Sequence, residues 1–214
     1  MKKIFYTLLL SLIINLTIQA QNYTQIIDLY SQNEVIGKNN VYYKDTQGYL
    51  NQYVGTWLYT NGATSLKITF QKKYFTEQNT QGTYYIDALV GEYEYKVNGV
   101  TVFNTLNNLS INHNASLKFH LFERTRFPNY DNCYQCTIPN QRLALYYDEP
   151  TNDNSSLKGL MYIHTFMENG QTKLYMSLYT DYNGMDINKY NIHLPATTTQ
   201  LTLPEGNYIF NKID

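Results

Sequence analysis

The feature that most constrains this chain is a punctuated alternation. Apolar and polar side chains change places at every residue, and Asn-Gly pairs break the pattern at intervals. Four such pairs occur: Asn61-Gly62, Asn98-Gly99, Asn169-Gly170 and Asn183-Gly184. Asn and Gly accept the positive φ angles of the type I′ turn, whose twist matches that of the strands it joins. Around Asn98-Gly99, Tyr93, Tyr95 and Val97 alternate with Glu92, Glu94 and Lys96, and Val100 to Phe103 return. Asn169-Gly170 joins a run from Gly159 to Phe166 to a second from Leu174 to Tyr179. The same period of two predicts strands through Leu66, Ile68 and Phe70, and through Leu117, Phe119 and Leu121, where Lys118 and His120 take the polar side. Leu143 to Tyr147 and Tyr208 to Phe210 add two more. One apolar and one polar face per strand means antiparallel sheet. Hairpins between sequence neighbours then point to an all-β fold, an up-and-down barrel of about 8–10 strands.

Composition agrees. The 214 residues include 23 tyrosines, and only 15% are charged, where about 25% is usual. Tyrosine and threonine suit pleated, half-buried surfaces, and asparagine suits turns. The formal charge is -1, and no basic cluster exceeds a pair such as Lys72-Lys73. Nucleic acid needs a dense cationic face, so it is not an expected partner.

Lys2 and Lys3, an apolar run from Ile4 to Ile18, and Ala20 before Gln21 have the form of a secretory signal peptide over residues 1–20. The run is short for a membrane span. Removing the two lysines takes the charge from -1 to -3 and leaves no second apolar run of spanning length. The expected mature chain is therefore exported, periplasmic or extracellular, with no transmembrane segment. Residues 21–44 read as an arm, with one short helix over Ile26, Ile27, Leu29 and Tyr30, and residues 45–214 as one barrel domain. Asp45 suits a helix N-cap ahead of Tyr49, Leu50, Tyr53 and Val54, a turn placed to plug one barrel end. Gly55 lets the backbone bend sharply into the first strand.

Few residues carry chemistry by pattern. Cys133-Tyr-Gln-Cys136, between Pro128 and Pro139, is expected to form a disulfide after export. A redox motif would need a flanking strand and helix, and a metal site would need two further ligands. His113, His120, His164 and His193 are dispersed, and no HExxH, nucleophile elbow or phosphate loop is present. No catalytic, cofactor or metal residue is assigned, and a non-enzyme is expected. Asp148-Glu149 with Asp153, and Asp181 to Asp186, read as solvated loops because they lack evenly spaced calcium ligands. A tyrosine ring with one polar handle can line a cavity or fill a core. Tyr93, Tyr95, Phe119 and Tyr208 are the candidates for the barrel interior, and outward Tyr162, Tyr175 and Tyr179 suit a contact surface.

Gly55-Thr56-Trp57 after a short helical turn resembles the opening motif of the lipocalins and fatty-acid-binding proteins, the calycin group. The resemblance implies that Gly55 and Trp57 close one barrel end and that the mouth takes up apolar ligands. Thr180-Asp181-Tyr182 looks like the second lipocalin motif, in a turn between late strands. The third element, a late arginine packed on the tryptophan, has no counterpart, since Arg142 is the last arginine. Tyr42 to Asp45, Tyr53 to Trp57, and Asp87 to Tyr95 through Asn98-Gly99 to Leu106 together resemble a family of secreted bacterial proteins known only as a domain of unknown function.

The expectation is thus a secreted, lipocalin-like barrel that binds a small apolar or aromatic molecule in its mouth, with no cofactor. The alternative is a module with a filled core that binds protein or glycan through its outside. Interior space separates the two.

Overall fold

The computed structural model describes residues 23–31, 35–128, 141–150, 157–182 and 200–214. Within them lie the strands β1 (Gln25–Asp28), β2 (Val41–Lys44), β3 (Gly55–Asn61), β4 (Thr64–Asn79), β5 (Gly82–Val97) and β6 (Val100–Asn104). These are followed by β7 (Leu121–Pro128), β8 (Gln141–Tyr147), β9 (Leu157–Glu168), β10 (Gln171–Tyr182) and β11 (Gly206–Lys212). The helical content described is three 3-10 turns, Tyr49–Gln52, Leu106–Ser110 and Ser116–Lys118.

Eight strands close an antiparallel barrel in the order β5-β4-β3-β11-β10-β9-β8-β7, with β7 returning to β5. First and last edges meet where Leu58 faces Asn211 and Trp57 faces Lys212. The architecture is compatible with a lipocalin-like barrel. Asn98 and Asn169 take φ 52° and 50°, with Gly99 and Gly170 both at 76°, so the two clearest hairpins turn as the dipeptides demand.

The strand β5 is the hub. One edge pairs with β4 along almost its whole length. The other edge serves three partners in turn: β2 at Tyr85 and Ile86, β7 at Val90 and Gly91, and β6 from Glu94 to Val97. Gly91 sits at the seam because a Cβ there would stand 2.6 Å from the Phe70 ring and 3.2 Å from Leu121.

Three expectations are corrected. Among the described residues the arm carries no helix: Gln25–Asp28 is a strand paired in parallel with β2, which is itself parallel to β5. Ile27 and Leu29 are buried while Ile26 is exposed, a period of two that the adjacent isoleucines blur. Residues 117–121 are not one strand, because Ser116–Lys118 is a 3-10 turn and β7 begins at Leu121. Thr180-Asp181-Tyr182 lies in the ladder between β9 and β10, not in a turn. The signal peptide, the Cys133/Cys136 pair, His193 and the Asn183-Gly184 turn lie outside the described residues.

Candidate functional site

The interior comes first, because both readings depend on it. Trp57, Phe70, Leu89, Tyr93, Tyr147, Met176 and Phe210 belong to one apolar cluster and show no exposed surface. A side chain with none borders no space that a water molecule could enter, so the barrel interior around these residues is packed solid. Tyr95 and Tyr208 complete the cluster, 5% and 8% exposed. Tyr93, Tyr95 and Tyr208 are buried members of this interior cluster. Phe119 is not. It packs outside the barrel with Phe75, Ala88, Val90 and Leu109, because the chain at 116–118 turns out of strand geometry and loses the phase that Leu121 sets.

A bonded group of side chains stands at each end among the described residues. At the first, the carboxylate of Asp45 accepts the backbone N–H groups of Tyr49 (2.7 Å) and Leu50 (3.0 Å). Asp45 thus caps the turn as expected, although Gly48, at φ 66°, stands at the N-cap position itself. Leu50 and Tyr53 are fully buried there, and the Trp57 indole N–H donates to the Tyr53 carbonyl at 2.8 Å. Gly55 has φ 123°, and a Cβ would meet Lys212 and Asp214, each at 2.8 Å. The Lys212 ammonium lies 5.3 Å from the centre of the Trp57 ring, within reach of a cation–π contact.

At the other end Leu203 enters the core, 1% exposed. The buried Glu149 carboxylate holds it, accepting the N–H groups of Thr202 (2.8 Å) and Leu203 (2.9 Å) and the Tyr147 hydroxyl (2.9 Å). Tyr93 donates to the Asp148 carbonyl beside it at 3.1 Å. Burial pushes the Tyr93 and Tyr147 hydroxyls above the ordinary tyrosine range, with neighbouring Glu149 adding to both. Glu149 is thus a fastener and not part of a solvated loop, which composition could not reveal, while the Asp148 carboxylate pairs with Lys158 at 3.1 Å.

Two further groups were missed by pattern. On the outer face Glu92, fully buried, accepts from Asn108 Nδ2 (2.5 Å), the His120 backbone N–H (3.2 Å) and His120 Nδ1–H (2.7 Å). His113 Nε2–H donates to Asn108 Oδ1 at 2.6 Å. This chain of bonds pins the 105–120 segment over the outer cluster around Phe119. Among the described residues, no set of three or more His, Cys, Asp or Glu could hold a metal ion.

The second is aromatic. Where β1 and β2 extend the sheet beyond the barrel, Ile26 faces Tyr42, Tyr42 faces Tyr85 and Tyr85 faces Thr76 across four adjacent strands. Tyr23 packs on both Tyr42 (5.0 Å) and Tyr85 (5.7 Å). Tyr74 lies edge-on to Tyr42 at 5.3 Å and nearly parallel to Tyr85 at 6.0 Å. Buried Asp87 fixes the group, accepting the Tyr42 hydroxyl at 2.6 Å and the Asp45 N–H at 3.1 Å. Burial and the bond to Asp87 hold the Tyr42 hydroxyl above its ordinary pKa. Tyr74 is 50% exposed and Ile26 48%. Of the outward tyrosines named from sequence, Tyr162 and Tyr179 meet at 6.2 Å and Tyr175 packs on His164 at 5.0 Å, all on the β9–β10 face.

The chain belongs to DUF6705, a family of unknown function whose model matches residues 1–213. No curated protein and no solved structure matches it. No helix among the described residues is long and apolar enough to cross a membrane.

Proposed function

We propose that this protein is an exported, non-enzymatic binding module that works through its outer surface, with the barrel as a filled scaffold. The observation that supports this best is the interior, where Trp57, Phe70, Tyr93, Tyr147 and Phe210 leave no water-sized space. Uptake of an apolar ligand at the mouth would require Leu203 to leave its seat and Glu149 to release two backbone N–H groups. The buried carboxylates Asp45, Glu92 and Glu149 each accept backbone N–H groups, a structural use of charge. Export rests on the sequence alone, through the basic start and short apolar run of residues 1–20.

Titration of the purified protein with N-phenyl-1-naphthylamine tests the reading. No saturable rise in probe fluorescence and no change in melting temperature are expected. Saturable binding accompanied by a shift in Trp57 emission would return the function to the barrel interior.

A further inference from the structure

We propose that Asn169, at the tip of the β9–β10 hairpin, is a site of spontaneous deamidation, and that the fold protects Asn98 and Asn61, which are followed by the same glycine.

The dipeptide supplies the reaction. The Gly170 nitrogen gives up its proton and attacks Cγ of the Asn169 side chain. A bond forms between that nitrogen and Cγ, the bond from Cγ to the amide nitrogen breaks, and the leaving group takes up a proton and departs as ammonia. Water then opens the cyclic imide at either carbonyl, leaving aspartate or isoaspartate. Nothing is oxidised or reduced, and water is the co-reactant. Glycine favours the attack because it puts no side chain in its path.

Asn98-Gly99 and Asn169-Gly170 form a matched pair. Their asparagines take φ 52° and 50°, and both glycines take 76°. Both dipeptides are exposed and lie just beyond their ladders, which end at Val97 opposite Val100 and at Glu168 opposite Gln171. What separates them is the nucleophile. The Gly99 N–H donates to the Ala63 carbonyl at 3.0 Å, where the tips of the β3–β4 and β5–β6 hairpins meet. That bond keeps the proton on the nitrogen and holds the nitrogen against the neighbouring hairpin, away from the Asn98 side chain. Among the described residues no group accepts the Gly170 N–H. Its proton is open to water, and its turn is tied to no second hairpin.

Asn61 is protected differently. It is a strand residue, opposite Thr64 on the last rung of the β3–β4 ladder. Its backbone cannot swing the next nitrogen onto its own side chain without breaking that rung.

The product alters the hairpin. Aspartate puts a second negative charge beside Glu168. Isoaspartate runs the main chain through Cβ, which lengthens the turn and upsets the geometry that sets Gln171 opposite Glu168.

The test is peptide mapping by mass spectrometry of the purified protein after weeks at neutral pH, one sample folded and one unfolded in guanidinium chloride. The readout at each asparagine is the mass gain when NH2 is exchanged for OH, with isoaspartate separated by chromatography. In the folded sample Asn169 should convert about fivefold faster than Asn98 or Asn61, the rate factor of one net hydrogen bond. In the unfolded sample the three rates should converge, because the Ala63 contact and the ladder are gone. The proposal is overturned if Asn98 or Asn61 keeps pace with Asn169 in the folded protein. It is equally overturned if the lead of Asn169 persists in guanidinium chloride, or if folded Asn169 is unchanged once the unfolded chain has converted.

Discussion

Removing the Glu149 carboxylate tests whether that end of the barrel is held as the geometry states. Its oxygens accept two backbone N–H groups and one hydroxyl in a buried setting. Glu149→Ala leaves the N–H groups of Thr202 and Leu203 and the Tyr147 hydroxyl without that acceptor. Each buried donor so stranded costs about 1–3 kcal/mol, and water entering as the segment loosens recovers part of it. A net loss of about 3–4 kcal/mol is expected, within the range of a broken buried network. With a urea m-value of about 2 kcal/mol/M, the midpoint should fall by roughly 1.5–2 M. Glu149→Gln should lose only about 1 kcal/mol, because its amide oxygen can take the place of Oε1, which carries most of the bonds. Amide exchange of Thr202 and Leu203 should accelerate in the alanine variant well beyond the global loss, since these are the groups released. A midpoint within about 0.3 M of wild type would refute the fastening role.

Other perturbations probe different parts of the structure. Lys212→Met removes the cation over Trp57 and should lower stability by about 0.5–1 kcal/mol, a few degrees in melting temperature; Lys212→Arg should restore it. Gly91→Ala pushes a methyl group into the Phe70 ring at the β5–β7 seam and should cost about 1–3 kcal/mol by urea titration. Alkali should unfold the protein cooperatively. Burial, with Tyr95 and Tyr59 adding, pushes the Tyr208 hydroxyl up to about 12, whereas an unfolded tyrosine ionises near pH 10. Between those values the unfolded chain binds fewer protons, so stability is intact below pH 10 and falls as pH rises towards 12. Absorbance of tyrosinate near 295 nm should therefore climb together with loss of near-ultraviolet dichroism. A gradual rise that precedes any loss of dichroism would contradict the buried setting.

The hairpins were legible because their information is local: Asn98-Gly99 and Asn169-Gly170 state their own turn, and the flanking alternation states the face. The closed barrel followed from strands that neighbour one another in sequence. The arm was not legible, because β2 pairs with β5 across more than forty residues and no local pattern encodes a parallel register over that span. Phe119 was misplaced for a different reason. Periodicity locates a residue only while the chain stays extended, and the 3-10 turn Ser116–Lys118 breaks the count just before it. Glu149 and Asp45 look in sequence like any acidic loop residue, and their role depends on which N–H groups the fold brings to them. The tyrosine row needed the arm's register before Tyr23 and Tyr42 could be placed beside Tyr74 and Tyr85.

That dependence bears on where function can reside. Eight strands enclose room for side chains or for one small ligand, and here Trp57 and the large rings around it take the room. A carboxylate then fastens each end, Asp45 over the first and Glu149 over the second. Closing a barrel removes its own sheet edges, and β5 stays open to further strands only because it runs past the seam with β7. The arm adds β2 and β1 to that overhang, and the addition assembles Tyr23 and Tyr42 over Tyr85. Stability alone does not require the outer ring of this group: Tyr74 keeps half its surface in water while Asp87 lies buried beneath it. On the proposed reading, the exposed half of Tyr74 is one place where a partner would meet this extension. If the arm served only to cover an edge, replacing Tyr74 and Ile26 by serine would leave every interaction of the protein unchanged.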